Sequence, residues 1–159
     1  MSELTHTDET GQANMVDVGT KPATRRVAVA SGYIAMQQET LNMVVENTNK
    51  KGDVLAVARI AGIIASKKTS ELVPLCHQVA LTKIDIQLDV DKDIPGVLCT
   101  ASAYTHGPTG VEIEALTAVQ ISLLTVYDMC KAVDRGMTIN RVHLVEKSGG
   151  QSGTWKKST

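Results

Sequence analysis

Thr109-Gly-Val-Glu-Ile-Glu-Ala-Leu-Thr-Ala-Val-Gln-Ile-Ser-Leu-Leu-Thr-Val-Tyr-Asp-Met-Cys-Lys-Ala-Val-Asp134 is the stretch on which the fold turns. Val111, Ile113, Leu116, Val119, Ile121, Leu123, Leu124, Val126, Met129, Cys130 and Val133 leave it no clean polar face, the pattern of a helix covered on more than one side. Glu112 and Glu114 nevertheless sit near its start, and Asp128 and Lys131 near its end. Helix electrostatics accounts for acids in the first turn and a lysine in the last. It does not account for Asp128, a carboxylate at the negative end of the macrodipole, which makes Asp128 the first candidate for chemistry. Glu114 and Asp128 would lie about 21 Å apart along one helix, too far to share a small-molecule site. The stretch therefore predicts an oligomer whose site joins the start of one subunit's helix to the end of another's.

Upstream of this helix, Ile84, Ile86, Leu88 and Val90 alternate with Lys83, Asp85, Gln87 and Asp89, the clearest period-two signal in the chain. Asp91-Lys-Asp-Ile-Pro-Gly96 reads as a turn, and Val97 to Thr105 alternates again, so an antiparallel hairpin precedes the helix. Thr24 to Met36 reads as a first strand and Glu39 to Glu46 as a short helix. Asp53 is placed to cap a second helix over Val54 to Ala65, whose small residues imply a close neighbour. Pro74 cannot continue that helix, so Val73-Pro-Leu-Cys-His77 reads as a loop or extended segment leading into a strand. Gly136 closes the central helix, and Met137 to Lys147 forms a last strand. Strand, helices, strand, strand, helix, strand predicts an α+β, ferredoxin-like split βαβ fold: an antiparallel sheet with helices on one face. Residues 1–14 are expected to be disordered, 15–153 to form one catalytic domain, and 154–159 to be a flexible tail.

The chain has 159 residues and a formal net charge of −1, enough for one core and too little basic excess for a general nucleic-acid or anionic-membrane binder. With no Phe, one Trp and three Tyr, stacking platforms for single strands are largely absent. Cys76, Cys99 and Cys130 match no zinc or disulfide spacing and read as reduced thiols of a soluble cytoplasmic protein. No basic, then apolar, leader and no uninterrupted apolar run of membrane-spanning length is present.

Basic residues recur where the chain turns. A solvated surface explains Lys50, Lys67 and Lys68. Lys51 differs: it adjoins Gly52 and a helix N-terminus, a natural anion site. Lys147-Ser-Gly-Gly could act likewise or be simply flexible. His77, beside Cys76 and near Pro74, could be acid, base or ligand, though no second ligand falls at metal spacing; Cys76 could be a nucleophile or, more commonly, a buried structural thiol. His6 falls in the N-terminal segment. Paired carboxylates with several lysines fit a site that binds phosphates and moves protons.

Met-Val-Asp-Val from Met15, Lys-Gly-Asp-Val from Lys51, Ala-Gly-Ile from Ala61, Pro-Leu-Cys-His from Pro74, Thr-Gly-Val-Glu from Thr109, Glu-Ala-Leu-Thr from Glu114, Tyr-Asp-Met-Cys-Lys-Ala-Val from Tyr127 and Lys-Ser-Gly-Gly from Lys147 stand in order. Together they resemble the cyclic pyranopterin monophosphate synthase family, accessory protein C of molybdenum cofactor biosynthesis, from about Met15 to Gly153. The resemblance implies a lyase that converts the 3',8-cyclised dihydro-GTP intermediate to cyclic pyranopterin monophosphate with release of pyrophosphate. It also implies a homohexamer, a trimer of dimers with ferredoxin-like subunits and interfacial sites. Asp128, Lys51 and Lys131 match the family's catalytic positions. Leu75, Cys76, His77, Ile113 and Glu114 match its substrate contacts, with Glu112, Arg26 and Lys147 as further polar partners. No metal site and no resident cofactor is implied, and the sequence leaves open whether Mg²⁺ accompanies the triphosphate. Gln78, Ile113 and Gln151 depart from the family's usual Pro, Met and Lys. The alternative from another class is a non-catalytic oligomeric module that binds phosphate ligands.

Overall fold

A computed structural model describes residues 6–7, 10–150 and 153–158. Gln151, Ser152, the remainder of the N-terminal segment and Thr159 lie outside the described residues. The elements in order are β1 (Thr24–Ala35), α1 (Gln38–Val45), α2 (Val54–Ser66), α3 (Thr69–Leu72), β2 (Leu81–Asp91), β3 (Gly96–Gly107), α4 (Glu112–Cys130), β4 (Thr138–Ser148) and β5 (Trp155–Lys156).

The strands form one sheet in the order β2-β3-β1-β4-β5, with every pairing antiparallel. β1 and β2 therefore run parallel with β3 inserted between them, which is the split βαβ arrangement the element order predicts. The hairpin has the expected register, Ile84 opposite Ala103 and Val90 opposite Val97. Asp91 closes its turn by accepting from the N–H groups of Asp93 (3.0 Å) and Ile94 (3.1 Å).

The alternation seen in the sequence sorts the side chains onto two faces. Ala28, Ala30 and Ile34 of β1, Ile86 and Leu88 of β2, and Val97, Cys99, Ala101 and Ala103 of β3 are buried beneath α2 and α4. The small side chains let α4 lie close on the sheet: a Cβ at Gly32 would stand 2.7 Å from Val119 and 3.0 Å from Leu123. α2 packs beside α4, and Asp53 caps it as expected, accepting from the Ala56 N–H at 2.9 Å. At their crossing a Cβ on Gly62 would fall 2.2 Å from Ser122 Oγ and 2.9 Å from the Ala118 carbonyl oxygen. Gly62→Ala must push the two helices apart and should destabilise the chain by about 1 to 3 kcal/mol, visible as a lower urea midpoint at unchanged slope.

Val73 to His77 is loop as expected, and the single turn α3 precedes it, with Pro74 blocking its extension beyond Leu72. Residues 154–159, expected as a flexible tail, include β5, which pairs Lys156 with Glu146 and Trp155 with Lys147. The central helix is covered on more than one side, by α2 and by the sheet, while Ile113, Leu124 and Asp128 remain exposed along another. α4 has the length and hydropathy of a membrane span, and half of that window is buried inside the fold, as in a core helix. A contact the sequence did not suggest joins the start of α1 to the segment that follows α4. Buried Asp134 accepts from the Gln37 N–H at 2.9 Å and so caps α1, whose own N-cap residue has no capping side chain.

Candidate active site

The two ends of α4 carry two separate constellations. At its C-terminal end Asp128 Oδ1 accepts from Lys131 Nζ at 2.6 Å, while Lys51 Nζ lies 3.7 Å from Asp128 Oδ2 and donates to the Asp128 carbonyl oxygen at 3.0 Å. The hydrogen bond and charge of Lys131, then the charge of Lys51, hold the Asp128 carboxyl below the usual carboxylate range. Asp128 in turn raises the Lys131 ammonium above its ordinary value. The trio is thus a carboxylate between two ammonium groups, net positive and open to solvent, with the Asp128 side chain 58% exposed. Sequence spacing alone could not join Lys51 to this end; the loop after α1 brings it there.

At the N-terminal end, two adjoining clefts of about 420 Å³ each share Thr109, Gly110 and Glu112. The first has a basic wall of Lys21, Arg26 and Lys147. Lys147 Nζ donates to Glu112 Oε1 at 2.8 Å. Arg26 is fixed by bonds from Nε to the Gly107 carbonyl (3.0 Å) and from Nη2 to the Pro108 carbonyl (2.8 Å). The glycine-rich stretch after β4 then folds directly over it: Gly150 has φ +73°, and a Cβ there would stand 2.1 Å from Arg26 Nη1. Glycine is required here both by the backbone conformation and by the approach.

The second cleft is lined by Leu75, Cys76, His77, Ile113 and Glu114, together with His6. Glu114 is 2% exposed, and burial raises its carboxyl. Cys76 Sγ lies 3.8 Å from Glu114 Oε1. Burial, reinforced by the Glu114 charge, pushes the Cys76 thiol up to about 11, so at neutral pH it is protonated and unsuited to nucleophilic attack. His77 Nε2 lies 2.7 Å from the Val16 carbonyl oxygen, an acceptor to which Nε2 must donate.

Each candidate catalytic or substrate-binding residue falls in one of these two places. Lys51, Asp128 and Lys131 share one end of α4, and Arg26, Leu75, Cys76, His77, Glu112, Ile113, Glu114 and Lys147 share the other. The structure does not bring the two groups together within one chain. Sequence reasoning missed Lys21 and His6, which line the clefts from a segment with no periodicity to mark it. That segment is tied locally: Thr7 bridges Ala13, and the Asn14 N–H donates to the His6 carbonyl at 2.9 Å. Among the described residues, no group of three or more His, Cys, Asp or Glu side chains is arranged to hold a metal ion.

Residues 15–150 match the family model described as "MoaC family". A cyclic pyranopterin monophosphate synthase of Thermomicrobium roseum is 57% identical over 157 residues, covering 99% of this chain and 95% of the relative.

Proposed function

The chain belongs to the MoaC family, and from that membership we propose that it is a lyase of molybdenum cofactor biosynthesis, a cyclic pyranopterin monophosphate synthase. Its substrate in this reading is the 3',8-cyclised dihydro-GTP intermediate, and pyrophosphate is released. The observation that carries the reading is Asp128 held between Lys131 and Lys51 at a helix end that electrostatics alone would disfavour.

Forming a cyclic monophosphate from a triphosphate needs a hydroxyl oxygen to close on the α-phosphorus as the bond to the β-phosphate oxygen breaks. The hydroxyl proton must leave, and negative charge grows on the departing pyrophosphate. Lys131, kept protonated by Asp128, supplies positive charge and a proton donor to those oxygens, and Lys51 adds a second ammonium. Asp128 stays ionised and orients both. At the other end, Arg26, Lys21 and Lys147 meet anionic oxygens, while Glu112 and Glu114 present acceptors to the N–H edge of a guanine-derived ring. The reaction calls for no resident cofactor, and any Mg²⁺ arrives with the triphosphate.

A complete site then requires a second copy, and the reading extends to a homo-oligomer, a hexamer built as a trimer of dimers, in the cytoplasm. Support comes from the outward faces of the helices, where Val57, Ile60 and Ile64 of α2 and Ile113 and Leu124 of α4 are exposed. A helix pair this apolar on its solvent side needs a cover. The deciding experiment supplies the cyclised GTP substrate to the purified wild type and follows pyrophosphate and the pterin product. Stoichiometric appearance of both is the expected result. Tight binding without product would replace the lyase by a phosphate-ligand-binding module.

A further inference from the structure

We infer that Asn49 is a positioning residue that holds Lys51 against Asp128. The inference rests on the proposed role of Lys51, Asp128 and Lys131. Between Val45 and Asp53 every residue is exposed except Asn49, which is half-buried. Its side-chain amide makes two bonds in opposite directions. Oδ1 accepts from the Lys51 backbone N–H at 2.9 Å, and Nδ2 donates to the Met129 carbonyl oxygen at 3.0 Å. Met129 follows Asp128, and its carbonyl is among the last of α4, those left without a partner inside the helix. Lys51 Nζ takes the neighbouring carbonyl, that of Asp128, at 3.0 Å. The loop is therefore fastened to two consecutive carbonyls of the helix end, once by Asn49 and once by Lys51 itself.

Backbone geometry makes this fastening necessary. Asn47 at φ +53° and Gly52 at φ +98° bend the chain sharply on either side, and the Gly52 N–H donates to the Asn49 carbonyl at 3.0 Å. The turn sets the direction of the Lys51 side chain, and the Nδ2 bond ties the loop's own backbone to the end of α4. Few residues could replace Asn49, because the position needs a donor and an acceptor together on a short arm. Asp offers acceptors alone and Ala neither.

Full-length Asn49→Ala and Asn49→Asp variants test the inference through kcat and KM for the cyclised substrate, thermal midpoint, and the rate at which an amine-acylating reagent modifies Lys51, followed by peptide mass. In Asn49→Ala, kcat should fall by about tenfold to hundredfold with KM within about twofold, since a displacement near 1 Å suffices for a loss of that size. Lys51 should acylate faster than in the wild type. Asn49→Asp, which keeps the acceptor for the Lys51 N–H but sets a carboxylate against the Met129 carbonyl oxygen, should not recover the lost kcat. An unchanged kcat in Asn49→Ala would overturn the inference. So would a loss of kcat with unaltered Lys51 acylation and a lowered thermal midpoint, the mark of general damage. Should the wild type itself not turn over the substrate, the lyase reading falls, while the acylation rates still decide whether Asn49 positions Lys51.

Discussion

Asp128→Asn should bind the cyclised GTP substrate as well as the wild type or better and turn it over at least about a hundredfold more slowly. The carboxylate sits where a polyanion must come, so removing its charge lowers repulsion and favours binding. The same change strips Lys131 of the partner that raises its pKa and leaves both ammonium groups free of the atom that aims them. Binding by calorimetry and turnover by pyrophosphate release separate the two effects. Wild-type turnover in Asp128→Asn would remove Asp128 from the chemistry and leave the lysines as a plain anion-binding pair. Asp128 and both lysines are solvent-exposed, so the substitution should leave the unfolding midpoint nearly unchanged, and lost turnover can be assigned to the site.

If the site is shared as proposed, mixing inactive subunits should restore activity for some pairs and not for others, according to which end of α4 each substitution damages. Lys51, Asp128 and Lys131 belong to one end of α4, and Arg26, Glu112 and Lys147 to the other, about 24 Å away at helical rise. Lys51→Ala subunits mixed with Lys147→Ala subunits should regain activity in roughly a quarter of the sites if each site takes one end from each of two subunits at random. Lys51→Ala mixed with Lys131→Ala should regain none, because every site then inherits a damaged C-terminal half. Subunit exchange is verified by capture of differently tagged chains. Exchange without recovery in the first pair would mean that each subunit carries its own site.

The sequence showed most where a signal is local and repeats. Period-two alternation marked β2 and β3, the length and apolarity of α4 marked the central helix, and Asp53 at the edge of an apolar stripe marked the start of α2. The oddity of Asp128 was also local, since it follows from helix polarity alone. What escaped depends on chain segments far apart. The cap on α1 comes from Asp134, across 97 residues. β4 slips register against β1 between Val29 and Ala30 and between Ser31 and Tyr33, which no alternation in either strand reveals. Lys21 and His6 reach the clefts from a polar, aperiodic segment that a bond from His77 to the Val16 carbonyl and short turns help to place. Residues implied by family resemblance alone, Leu75 and Ile113 among them, were placed by motif and not by any physical signal, and both line the second cleft.

β1 is the strand at the centre of the sheet, and its partners are β3 and β4, with Thr24 opposite Gly107 and Ala35 opposite Thr138. It is also the first strand to leave the ribosome. Its hydrogen-bonding edges therefore wait through most of synthesis, one until β3 emerges and the other until β4 does. Only the β2–β3 hairpin can form early from neighbours in sequence. Closing the remaining ladders demands large loops at once, which slows folding and leaves an apolar, unpaired strand open to other chains meanwhile. A ribosome stalled before Thr138 would hold a chain with its hairpin made and its middle strand half-dressed.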